Sequence, residues 1–153
     1  MSPNWANLIH EALAVIATFA YSQAPLEKLR AKRFPAECLF LEKVIYEIPR
    51  RTATQALIDC GRYFRALDDE QRLSDIWKQY SNPPVVGKLW MKDGQREPLS
   101  PHEMANKIMY AERIDWDLSG DPKIICVGRD RERWLRAEIE VCLLLGLGGE
   151  LGS

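Results

Sequence analysis

The stretch LSPHEMANKIMYAERIDWDL, residues 99–118, holds a helix that marks its own start and, directly behind it, a change of hydrophobic period. Ser100-Pro101-His102-Glu103 reads as a capping box with proline at the first helical position. Leu99 and Met104 stand where a hydrophobic staple would close over the cap. The pattern predicts a helix over Pro101–Ala111. Beyond it Ile114, Trp116 and Leu118 alternate with Arg113, Asp115 and Asp117, which is the period of a strand.

Downstream, Ser119-Gly120-Asp121-Pro122 turns the chain into Lys123–Val127, and residues 128–132 turn it again into Trp134–Val141. In that last segment Leu135, Ala137, Ile139 and Val141 alternate with charged residues, so a three-stranded antiparallel meander with one wet face is expected. Cys142–Leu147 reads as a short closing helix, and glycines 146, 148, 149 and 152 as a fraying tail. Upstream, Val85–Met91 is a strand candidate. Asp93-Gly94 suits a type I′ hairpin turn, because both central residues of that turn need positive φ.

Before Asn82-Pro83-Pro84 the period is helical. Helix one is expected from Ser2-Pro3-Asn4, with Trp5, Leu8, Ile9, Ala12, Leu13, Ile16, Phe19 and Ala20 on one stripe. Pro25 is read as opening a short second helix, Leu26–Arg33, broken at Phe34-Pro35. A third spans Ala36–Glu47 and stops at Pro49. Thr52 or Thr54 caps a fourth, and Asp68 with Gln71 starts a fifth. The fold class expected is α+β: one domain over 1–153, with a helical bundle (1–82), then a hairpin, a helix and a small antiparallel meander (83–153).

The chain has 21 basic and 22 acidic residues and a net charge of −1. Residues 1–80 carry +1 and 81–153 carry −2, so neither half is a polycation built to neutralise many phosphates. The apolar run Ala12–Tyr21 is too short to cross a bilayer, and no basic residue precedes it. A cytoplasmic protein without membrane contact is expected. Cys38, Cys60, Cys126 and Cys142 have no paired spacing, and His10 and His102 are the only histidines. Reduced thiols, no metal site and no cofactor follow as expectations. Cys38, Cys60 and Cys126 fall in apolar stretches that read as core.

The motifs associated with chemistry are incomplete. Asp115-x-Asp117-x-Ser119-Gly120 begins like a calcium loop, but its twelfth position is Cys126 where a bidentate glutamate is required. The 146–149 glycines lack the lysine and the helix of a phosphate loop. Neither histidine shows an orienting carboxylate beside a nucleophile, so no catalytic residue is assigned. Arg129, Arg131, Arg133 and Arg136 are interleaved with acids, which reads as a self-compensated solvated face. The tryptophans in strand patterns (Trp90, Trp116 and Trp134) read as core. Arg50, Arg51, Arg62, Arg65, Arg96 and His102 are the candidates for contact with nucleic acid.

The stretch Leu99–Ala111, followed by its strands, resembles uncharacterised bacterial proteins whose helix reads approximately Leu-Ser-Leu-Arg-Glu-Ala-Cys-Asn-Lys-Ile-Ile-His-Ala before a small sheet. The likeness covers the C-terminal third and brings no established activity. The helical half is more loosely similar to HEPN bundles, nucleic-acid-associated proteins of bacterial defence and toxin systems. Active members place an arginine four to six residues before a histidine on a helix. Here only Arg96 and His102 meet the spacing, with Pro98 and Pro101 between them, and Tyr110 stands where the first group has its histidine. Both departures argue against a catalytic base. The expectation is a non-catalytic interaction module that self-associates, in a stress or defence context. The alternatives are an HEPN-like nucleic-acid-binding protein or ribonuclease, and a small-molecule-binding protein.

Overall fold

A computed structural model describes residues 3–34 and 39–152. Its elements are α1 (Trp5–Arg33), a π-helical turn (Lys43–Glu47) running into α2 (Ile48–Gln71), α3 (Leu73–Trp77), β1 (Gly87–Met91) and β2 (Arg96–Leu99), then α4 (Pro101–Tyr110), β3 (Arg113–Asp117), β4 (Lys123–Val127), β5 (Trp134–Glu140) and α5 (Val141–Glu150). The α+β class is as expected.

The helix at 101 forms where its cap puts it. Ser100 is extended, and its hydroxyl oxygen accepts from the Glu103 amide at 3.2 Å. Leu99 and Met104 are both fully buried, so the staple is closed. The reciprocal half of the box is not made: the Glu103 carboxylate turns to Lys107 Nζ, 3.1 Å away. With one orphan amide depending on Ser100, Ser100→Ala is expected to cost about 1 kcal/mol in urea denaturation.

Among the described residues three α-helices precede Asn82, where five are expected. Pro25 lies inside α1, where it removes one hydrogen bond, to the Tyr21 carbonyl. Both residues are exposed, so water can serve the freed carbonyl, and packing on either side holds the helix straight through. Pro49 likewise does not end a helix. It offers no amide to the Ile45 carbonyl, but buried Gln23 Nε2 reaches across from α1 and donates to that oxygen at 2.9 Å. The chain widens into the π turn just before the proline and continues as α2. Thr52 and Thr54 therefore cap nothing; their hydroxyls donate back to the Ile48 and Arg50 carbonyls within the helix. Ser2, and the 36–38 start of the expected third helix with Cys38, lie outside the described residues.

Asp68 starts no helix of its own position. It sits inside α2 and caps α3 from there, accepting from the Ser74 amide at 2.7 Å. Between them Arg72 is the one described non-glycine residue with positive φ, at 54°. A left-handed residue closing a helix is ordinarily glycine, since a Cβ is disfavoured there. Arg72→Gly is expected to raise stability by up to about 1 kcal/mol, read as a higher urea midpoint.

The hairpin and the meander are not separate. β1 pairs with β5, giving one five-stranded antiparallel sheet in the order β2-β1-β5-β4-β3. The β1–β2 turn is a three-residue loop in place of type I′. Only Gly94 has positive φ (91°); its amide donates to the Met91 carbonyl, and Met91 N–H to the Gln95 carbonyl. Asp93 keeps an ordinary φ, so the strands close with a glycine bulge.

Leu99, Gly87, Ile139, Ile124 and Trp116 form one cross-strand row facing the helices; Leu89, Ala137, Cys126 and Ile114 form the next. Their buried members join Leu13 and Ile16 of α1, Leu57 and Phe64 of α2, Met104 and Ile108 of α4 and Leu144 of α5 in one core. The 146–149 glycines are no fraying tail, because they lie in α5. A Cβ on Gly148 would stand 2.0 Å from Leu13 Cδ1, so glycine is what lets α5 lie against α1. Asp115 and Asp117 lie in β3, and at the hairpin turn that follows Asp117 Oδ1 accepts from the amide and hydroxyl of Ser119.

Candidate interaction surfaces and the Asp68–His102 cleft

The outer side of the α1–α2 layer breaks the ordinary rule that large apolar side chains are covered. Leu39 is 87% exposed, Phe40 73% and Val44 61%, and Ile48, Val15, Leu29 and Phe34 are exposed with them. Phe40, Val44 and Ile48 are four apart and so share a helix face. Beside them α1 and the π turn enclose a groove of about 680 Å³. Val15, Phe19, Leu26, Val44, Ile45 and Ile48 line it with small and polar residues, and among the described residues no ionisable side chain lines it. The Gln23–Ile45 bond and the ion pair of Arg30 with Glu42 hold its two walls together.

A second feature is polar. Where α2, α3 and α4 meet, buried Asp68 accepts from the Ser74 amide and the Ser74 hydroxyl, each at 2.7 Å, and its Oδ2 lies 3.2 Å from His102 Nδ1. The expectation that neither histidine has an orienting carboxylate is therefore corrected for His102. Sequence hid the pair because Asp68 and His102 are remote in the chain and each reads locally as part of a helix start. Burial pushes the Asp68 carboxyl up, but the Ser74 hydroxyl and amide and the His102 ring outweigh it and hold the group below the usual carboxylate range. The cleft beside it, about 710 Å³, is lined by Arg72, Asp75, Trp77, Lys78, Pro83 and Glu103 among others.

Chemically the trio does little. Ser74 donates its proton to Asp68 and not to the imidazole, so no nucleophile is activated. His10 Nε2 donates to the Gly148 carbonyl at 2.8 Å, a bond between α1 and α5. Burial pushes the Cys60 and Cys126 thiols up to about 12, with Asp115 adding to the latter, which makes them inert. Cys142 is exposed and free. Among the described residues no three histidine, cysteine or acidic side chains converge as a metal site would require, and no helix is long and apolar enough to cross a membrane.

The six nucleic-acid candidates do not meet. Arg50 lies over the Tyr46 ring and lines, with Arg51, a shallow hollow against Ile114 and Trp116. Arg62 faces Asp59, and Arg65 points at Met109 Sδ. At about 1.5 Å per residue those two pairs are roughly 20 Å apart along α2. His102 is in the Asp68 cleft. Arg96 is elsewhere again, on the outer face of the sheet, stacked on Trp90 with Arg136. Of the three strand tryptophans, Trp134 is core and Trp116 packs edge-on against Phe19 while donating to Thr54 Oγ1. Trp90 faces outward, contrary to expectation.

No family model, curated protein or solved structure matches the chain.

Proposed function

We propose that this protein is a non-catalytic interaction module that self-associates through the outer face of α1 and the π turn. The observation that carries this reading is the exposure of Leu39, Phe40 and Val44 beside an uncharged groove. Knob and groove occur on the same chain. A second copy therefore supplies the complement of each, and a two-fold arrangement inserts Leu39 and Phe40 of each copy against Val15, Leu26 and Ile48 of the other. The adjoining hollow, which shares Val15 and Ile48 with the groove, is lined by Arg51 and Asp59, so the surroundings carry both signs. The full occupation of the Asp68 carboxylate supports the absence of catalysis. The looser likeness to HEPN bundles supports a stress or defence setting.

Light scattering across a dilution series tests the proposal. A mass of twice 17.6 kDa that dissociates on dilution is the expected result. A mass of 17.6 kDa at every concentration would remove the proposal.

A further inference from the structure

On the side of the sheet turned away from the helices Lys88 and Arg96 are exposed, and Trp90, Ile125, Val127 and Arg136 are partly exposed. Register places Arg96, Trp90, Arg136, Val127 and Arg113 in one straight row across all five strands, and the row contains no acid. Arg96 and Arg136, from the strands on either side, bring their guanidinium carbons to 5.8 Å and 4.7 Å from the Trp90 ring. The Arg136 Nε is shielded from water, makes no hydrogen bond and stands 3.5 Å from Glu138. Indole stacking, then, holds the group at least as much as its carboxylate neighbour does. Arg113 is oriented by Asp115, 2.8 Å away. At about 4.8 Å between strands, successive arginines of the row are roughly 10 Å apart.

We infer that this row binds single-stranded nucleic acid, with bases stacking on the Trp90–arginine array and phosphates meeting Arg96, Arg136 and Arg113. Flat π surfaces on an open sheet, flanked by fixed cations, suit unpaired bases, which offer a π face and a phosphate at each step. The alternation of aromatic, apolar and basic residues in one row gives contact along about four nucleotides, near the lower limit of single-strand sites. Glu138 and Asp115 temper the charge, so binding is weak and dominated by three phosphates. This inference does not rest on self-association, which uses the other side of the molecule.

The test is fluorescence polarisation of a labelled mixed-sequence RNA of about 12 nucleotides, and of its DNA counterpart, titrated to about 100 µM protein. Three phosphate contacts predict a slope of log K against log salt of about −2, which is about twenty-fold weaker binding at 200 mM than at 50 mM salt. Trp90→Ala should weaken binding at least tenfold, while Trp90→Phe keeps it within a few fold. Arg136→Gln should weaken it several-fold and flatten the slope by about 0.7, and Lys28→Gln on α1 should change nothing. Circular dichroism melts show that each variant is folded. No binding at 50 mM salt would overturn the inference, as would binding undisturbed in Trp90→Ala and Arg136→Gln. A loss of assembly mass in those two variants, with RNA binding absent, would make the face a protein interface and overturn it equally.

Discussion

Replacing Phe40 and Val44 together by aspartate is expected to convert the dimer to a monomer, weakening association by at least about 100-fold, or roughly 3 kcal/mol. Each side chain, buried on assembly, contributes about 1.5–3 kcal/mol, and the two-fold repeats the loss on both copies. Four carboxylates facing an uncharged groove add desolvation that nothing there offsets. Both side chains are largely exposed in the single chain, so the monomer loses no core contact. Its thermal midpoint at a concentration where the parent is monomeric should stay unchanged. Light scattering of the variant reads the first claim and calorimetry the second. An assembled variant would show that the contact lies elsewhere.

The second large effect is expected at Asp68. Asp68→Ala removes the acceptor for the Ser74 amide, the Ser74 hydroxyl and the His102 ring at the junction of α2, α3 and α4. Taking the charged acceptor from these half-buried donors should cost about 2 kcal/mol in urea denaturation near neutral pH. The effect depends on pH with a defined sign. The folded carboxyl is held below its unfolded value, so the ionised form contributes fully above about pH 4 and the contribution is lost as pH falls through the depressed folded value. The gap between parent and Asp68→Ala should close in acid. An equal gap at every pH would mean that packing, and not the ionised carboxylate, accounts for the cost.

The C-terminal half was largely legible because its signals are local. A serine cap, a staple and strict alternation act within a few residues, and α4 with β3–β5 formed where those signals stand. The helical half was misdivided at Pro25 and Pro49, since proline is locally a breaker and what overrides it is remote. Gln23 lies 22 residues before the carbonyl it satisfies, and nothing in its own neighbourhood distinguishes it from a surface glutamine. The joining of β1 to β5 was hidden for the same reason, being a pairing of residues about fifty apart in the chain. Among site residues, Arg96 was singled out by spacing to His102, yet the structure separates those two and gives Arg96 to Trp90 and Arg136. Arg136 belongs to a run that reads as self-compensated, and it does stand 3.5 Å from Glu138 of that run. What the run does not tell is that register also sets Arg136 beside Trp90 of the neighbouring strand. The exposure of Phe40, Val44 and Ile48 was not legible, because apolar residues four apart in a helix read as core until the packing around them is known.

Self-association through one defined face is most directly tested by hydrogen–deuterium exchange of the whole protein, at concentrations above and below the dissociation constant. Protein contact slows the local openings that exchange requires, so the interface reports itself as concentration-dependent protection. Protection at high concentration is expected in residues 15–29 of α1 and in 39–52, with residues 87–140 of the sheet unchanged. Protection confined to the sheet, or none at any concentration, would contradict it.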